Sequence, residues 1–206
     1  GDLRHDDRLI SVQAHEVLAR SIQSGLYLAT AVGSISIGRI MVAEGSIDPG
    51  IEKIAAGMLT FEAAGDYRNY CMWSYVAISA YLQSHRFAEG LPLIEGAISR
   101  IAHGGMRMFE AELYRLKGEF ILMARGLQNE AEAAFREAIA IARQRQAKSF
   151  ELRAAVSLAR LLAQQGHKAE ARQMLAEIYG WFTEGFDLPD FKEAKALLEE
   201  LGGTLQ

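Results

Sequence analysis

Histidine, cysteine and arginine are the residue types whose placement in this chain could do chemistry. His5, His15, His85, His103 and His167 include no pair four apart and no His-Glu-x-x-His, the pattern that brings two imidazoles to one zinc ion. His5-Asp6-Asp7 is the densest set of candidate ligands, and a solvated chain end is the simpler reading of it. Cys71 stands alone, which removes any internal disulfide framework and predicts a small buried apolar residue. No Ser or Thr has a general base at a defined spacing, and no GxxxxGK[ST] phosphate loop occurs. These residues predict no catalytic centre, no metal and no cofactor, so an enzyme is not expected.

Arginine chemistry depends on the elements that would position it. A small residue, a bulky apolar one four later and a small or apolar one three beyond recur as Gly50/Ile54/Gly57, Gly90/Ile94/Ala97, Ala131/Phe135/Ala138 and Ala171/Leu175/Ile178. That period of about 40 residues lies in the range of helical-hairpin repeats. Three-and-four apolar spacing predicts the pairs Ala31–Glu44 with Ile51–Phe61, Met72–Gln83 with Glu89–Ile101, Glu112–Arg125 with Glu130–Arg143, and Ala154–Gln165 with Ala169–Trp181. Leu9–Ser21 falls in register as the second helix of a partial first pair. The expected fold is therefore all-α: an α-α superhelix of about four helix pairs, one domain over 1–206. It divides into a partial repeat (1–25), pairs at 26–66, 67–105, 106–147 and 148–182, and a capping segment (183–206).

Asp48 is expected to cap a helix with Pro49 early in it. Gly38, Gly118 and Ala159 should allow close approach of neighbouring helices. Pro92 must lie in a first turn or kink its helix. Trp181, Phe182, Phe186 and Phe191 crowd the turn before a last amphipathic helix, Asp190–Leu201. Lys192, Glu193, Lys195, Glu199 and Glu200 would face water there, with Phe191, Ala194, Leu197 and Leu198 inward. A core Trp181 would cost about 3–5 kcal/mol to truncate to Ala. An aromatic ligand box is the functional alternative.

In a uniform stack the first helix of each pair lines the concave face. Its non-core positions are Arg39, Tyr75, Ser79, Gln83, Glu112, Arg115, Glu119, Arg153, Arg160 and Gln164. Guanidinium forks suit carboxylates or phosphates, so an acidic peptide segment or an anionic small molecule is the expected partner. The competing reading is that Glu112, Arg115 and Glu119, at i, i+3 and i+7, pair with one another. Reversing Arg115 and Arg160 to Glu is expected to weaken a groove ligand and to leave folding largely intact.

The stretch AELYRLKGEFIL (Ala111–Leu122), followed by the run from Ala131 through Leu201, resembles the C-terminal tetratricopeptide-like region of large bacterial predicted ATPases. Many of these carry a class III adenylate or guanylate cyclase domain. The resemblance is specific over about residues 107–201 and rests on Glu112, Leu113, Arg115, Leu116, Gly118 and Glu119, on Ala147, Lys148, Glu151 and Arg153, and on the Tyr179–Lys192 run. It implies a tetratricopeptide-like solenoid acting as a non-catalytic regulatory or interaction module, with any ATPase or cyclase chemistry outside these residues. Met123-Ala124-Arg125 departs from the pattern by shortening the turn at Gly126. A partner protein, or the parent's own ATPase domain, is then the expected occupant of the groove. A metabolite-sensing domain is the alternative.

Composition is compatible. The chain has 206 residues, 50% apolar content, three prolines and a net charge of −4, which lacks the basic excess of a phosphate-backbone reader. Nucleic acid and membrane are not expected partners, and a cytoplasmic setting is expected. The Gly-Asp start without Met is expected of a piece of a larger protein or of a tag remnant. A truncated first pair would leave an apolar end suited to a homodimer.

Overall fold

A computed structural model of the protein describes Arg20 and residues 25–202. Among those residues the α-helices are α1 (Tyr27–Ala43), α2 (Ile47–Ala63), α3 (Tyr67–Gln83), α4 (Phe87–Ile101), α5 (Glu110–Arg125), α6 (Gln128–Gln144), α7 (Lys148–Gln164), α8 (Lys168–Tyr179) and α9 (Pro189–Glu200), with one 3-10 turn at Arg107–Phe109. The all-α expectation holds, and each expected hairpin is present; the hairpin helices are longer than expected except α8, which ends at Tyr179 rather than Trp181. The expected partial repeat at Leu9–Ser21 lies outside the described residues apart from Arg20. None of the described helices is long and apolar enough to cross a membrane. The chain divides into two compact units, Gly1–Phe109 and Glu110–Gln206.

In the first unit the α1–α2 pair is built on backbone contact. A Cβ on Gly38 would lie 2.5 Å from the Gly50 carbonyl oxygen, and one on Gly50 would lie 2.7 Å from that of Gly38. Gly57 meets the Ala31 carbonyl in the same way. With no side chains between them, the two axes come close enough for Ile35, Ile54 and Phe61 to be fully enclosed. In α3–α4 the period residues Ile94 and Ala97 are likewise buried, as are Cys71, Ala77 and Ile78 of α3. The Cys71 thiol donates to the Ala97 carbonyl at 3.4 Å, and burial pushes its pKa up, in keeping with an unreactive core residue.

The turns share one chemistry. In the α1–α2 turn the Gly45 N–H donates to the Val42 carbonyl and the Ser46 N–H to that of Met41, closing the helix with a left-handed residue. The same pair of bonds recurs at Gly65/Asp66, His85/Arg86, Gln146/Ala147 and Gly166/His167. His85 and Gln146 adopt the left-handed conformation there, with φ of 57° and 56°. At Gly126 the turn is shorter, and only the Gly126 N–H bonds back, to the Leu122 carbonyl.

One local expectation needs correction, and one open alternative is narrowed. Helix α2 begins at Ile47, so Asp48 sits inside the helix, one residue past its start; the N-cap is Ser46 and Asp48 pairs with Arg86. Pro92 is the sixth residue of α4, beyond the first turn. Ala88 and Pro92 are both exposed, so water can reach the carbonyl that the missing N–H leaves without a helical donor.

In the second unit Gly118 of α5 admits the Phe135 ring of α6, the same small-against-large contact that Gly38 makes with Ile54. Ala159 is fully buried on α7, and Ala171, Leu175 and Ile178 of α8 face inward. Helix α9 packs on α7 and α8. Phe191, Ala194, Leu197 and Leu198 are buried there, while Lys192, Glu193, Lys195, Glu199 and Glu200 are exposed, as the amphipathic pattern predicts.

Replacing Gly38 by Ala forces a methyl group onto the α2 backbone. The expected cost is about 1–3 kcal/mol despite the better helix propensity of Ala. Urea unfolding of the two proteins checks it, and an equal or higher midpoint in the variant would contradict the contact.

Candidate functional site

In the second unit α5, α7 and α9 lie side by side, α7 contacting both of the others. Five of the predicted groove residues converge on this face. The Glu112 carboxylate, 1% exposed, accepts from Arg115 through Nε at 3.0 Å and Nη2 at 2.7 Å. It also meets Arg153 Nη2 at 2.7 Å. Arg115 further reaches Glu119 at 3.3 Å, and the buried Ser157 hydroxyl donates to Glu119 at 2.6 Å. The intrahelical pairing of Glu112, Arg115 and Glu119 is therefore realised, with Arg153 added from the next pair.

This burial makes the inner part of the cluster rigid. A buried carboxylate gripped by two guanidinium groups is costly to disturb, because loss of one partner leaves charge without compensation, typically about 3–5 kcal/mol. Arg115 is thus a packing residue, and changing it to Glu would bring three carboxylates together beside Arg153. The expectation that such a reversal spares folding does not survive this geometry.

The rim is different. Arg153 Nε lies 3.8 Å from the Asp190 carboxylate, too far for a direct hydrogen bond. Arg160 Nη1 forms an ion pair with Glu193 at 2.7 Å, with both side chains about half exposed, so the pair contributes on the order of 0.2–1 kcal/mol. Between them lies a small depression of about 120 Å³, lined by Arg115, Arg153, Val156, Ser157, Arg160, Asp190 and Glu193. Sequence reasoning missed Ser157, Asp190 and Glu193. The signal for Ser157 is its distance of 38 residues from Glu119, close to one repeat; Asp190 and Glu193 share one face of α9 at i, i+3.

The remaining groove residues do not join this cluster. Gln164 is exposed at the end of α7. In the first unit Arg39, Ser79 and Gln83 are exposed, and the Ser79 hydroxyl donates to the Val76 carbonyl at 2.7 Å. Tyr75 is half-buried, stacked on Phe109 with ring centroids 4.6 Å apart.

A second surface feature of the same unit corrects the reading of the aromatic turn. Trp181 is 60% exposed rather than core; α8 ends at Tyr179, so the ring lies beyond the last turn that faces the core. Lys148 Nζ lies 5.3 Å from its centroid, and Phe182 packs edge-on against it. Phe191, at the start of α9, is the aromatic residue that fills the core, with Phe182 and Phe186 against its edges. Beside Trp181 is an open depression of about 520 Å³ whose polar wall is Arg143, Lys148 and Glu151. The Glu151 carboxylate is buried and accepts from Arg143 Nε and Lys148 Nζ, both at 2.7 Å. Among the described residues no three His, Cys, Asp or Glu side chains gather in a group that could hold a metal.

The fold of this chain is that of tetratricopeptide-like helical repeats. A Podosopora anserina kinesin light chain with nearly identical TPR-like repeats matches in two crystal structures. The structure of a point variant has 16% identity over 85% of this chain and 86% of that one, with a TM-score of 0.66. The other structure has 16% identity over 82% and 83%, with a TM-score of 0.62. A structure described as MamA MSR-1 C2 covers 92% of this chain and 97% of that one at 19% identity, with a TM-score of 0.49. No family model and no curated protein matches the sequence.

Burial raises the Glu151 pKa, and the hydrogen bonds from Arg143 and Lys148 outweigh it, leaving the value below the usual 4.5. A folded-state pKa below the unfolded one adds stability that is present above about pH 4.5 and is lost as pH falls through the folded value. Unfolding midpoints of the protein and its Glu151→Gln variant should therefore converge as pH is lowered past about 4.5. A gap that stays constant down to about pH 3 would contradict the assignment.

Proposed function

We propose that the chain is a non-catalytic interaction module that holds a protein segment along the face formed by α5, α7 and α9. The observation that carries this reading is the two-level cluster on that face. The buried Glu112–Arg115–Arg153 core holds the arginines in place, and Arg160 with the rim carboxylates stays open to solvent. A fixed array of charged forks beside a shallow depression is suited to side chains presented by a polypeptide. The depression of about 120 Å³ is well below the roughly 300–1,000 Å³ of pockets that enclose a small molecule, which favours a protein partner over a metabolite on this face.

The resemblance of residues 107–201 to the C-terminal region of bacterial ATPases and cyclase-linked signalling proteins supports a finer reading. In that setting the module, comprising the four helix pairs and the closing segment as one domain, would be cytoplasmic. It would link the signalling protein to a partner, or dock on the parent's own ATPase domain and restrain it.

The test compares what is retained from an extract of native cells by the protein, by Arg160→Glu on the proposed face and by Arg136→Glu on α6. Arg136 is half-exposed and pairs with Glu132 and Glu170, so its reversal is a matched surface change away from the face. A specific protein lost only with Arg160→Glu is the expected outcome. Equal retention by all three, or loss with Arg136→Glu alone, would place binding elsewhere.

A further inference from the structure

The rim carboxylates come from a different element than the arginines they face. Asp190 and Glu193 stand on the first turns of α9, whereas Arg153 and Arg160 project from α7. Their geometry is unlike that of Glu112. Glu112 is enclosed and doubly bonded, Asp190 stops 3.8 Å short of Arg153, and Glu193 engages a single nitrogen of Arg160 in a half-exposed pair. We propose that Asp190 and Glu193 are built-in competitors occupying the positions that carboxylates of an acidic partner segment take on Arg153 and Arg160. This rests on the reading of the α5–α7–α9 face as the binding surface.

The chemistry favours an acidic occupant over a basic one because one donor, Arg153, is anchored on a buried carboxylate, whereas the acceptors Asp190 and Glu193 are both half exposed. Arg153 is anchored through Nη2 by its ion pair with buried Glu112, which lowers the ordering cost of presenting its Nε edge to the depression. The guanidinium of Arg160 has a second nitrogen edge available for a paired contact with a carboxylate. The depression of about 120 Å³ has room for a side-chain carboxylate with its adjoining methylene.

Competition acts in two ways. The α9 carboxylates take up donors, and they shift the local balance. Arg115, Arg153 and Arg160 face Glu112, Glu119, Asp190 and Glu193, an excess of one negative charge that repels an approaching acid. Without Asp190 and Glu193 the excess becomes one positive charge. A single acidic side chain gains little by exchanging one exposed pair for another, whereas a segment with several carboxylates can replace both contacts at once. The cap helix thereby sets a threshold of acidity for the partner.

The measurement is fluorescence anisotropy with a labelled hexaglutamate peptide at low ionic strength, using the full 206-residue chain. Asp190→Asn/Glu193→Gln should bind at least about tenfold tighter than the unaltered protein, and the gain should shrink with added salt. Glu193→Gln alone, a solvent-facing change within the helix, should show part of the gain and guards against a folding effect at the start of α9. Glu199→Gln/Glu200→Gln makes the same net charge change at the far end of α9 and should leave affinity unchanged.

An equal gain in that control, or no gain in Asp190→Asn/Glu193→Gln, overturns the proposal. Arg160→Gln separates the two levels. If it abolishes hexaglutamate binding while the Asp190/Glu193 variant binds like the unaltered protein, the face stands and the competition falls. If Arg160→Gln changes nothing in either background, the face and the competition fall together.

Discussion

Close contact between the two helices of a hairpin, made at small residues recurring about every 40 positions, is the constraint on which the remaining features depend. Where Gly38 and Gly50 meet, backbone touches backbone, and the bulky residues one turn away are driven into a common core. At Gly118 the small residue makes room for a phenylalanine ring, so the same register is kept with a different partition of volume. Each pair therefore presents the outward side of its first helix at a repeating position. That repetition brings Glu112 of α5 within reach of Arg153 of α7, about one period later.

Most of the fold is legible in the residues because it depends on period and on local turn chemistry. The Gly50/Ile54/Gly57 set and its three successors are all buried, and the α9 pattern predicts its wet and dry faces correctly. The pattern fails where helix ends decide. Asp48 has the residue type of a cap but α2 starts ahead of it, and Trp181 has the residue type of core but the end of α8 at Tyr179 carries it outside. His85 and Gln146 replace the glycine that marks the other turns.

The candidate site is only half legible. The i, i+3, i+7 pairing of Glu112, Arg115 and Glu119 follows from helix geometry alone. What spacing within one helix cannot reveal is burial, and burial separates Arg115, a packing residue, from Arg160, a surface one. Pairs of opposite charge one repeat apart carry that information: Asp48 with Arg86 and Glu62 with Arg100 are 38 residues apart and both form ion pairs. In a solenoid, the repeat period is thus a second spacing rule beside the helical one, and it points to Ser157 as well. The resulting face has a buried inner cluster and a half-exposed rim, the contrast on which the proposed recognition by charge rests.

Site-specific photo-crosslinking in native cells tests the central claim, that a protein segment binds across α5, α7 and α9, most directly. A photoreactive residue at exposed Gln164 on α7 is compared with one at Arg136 on α6. The account predicts one specific protein adduct from position 164 and none from position 136. The same adduct from position 136 with none from position 164 would contradict it.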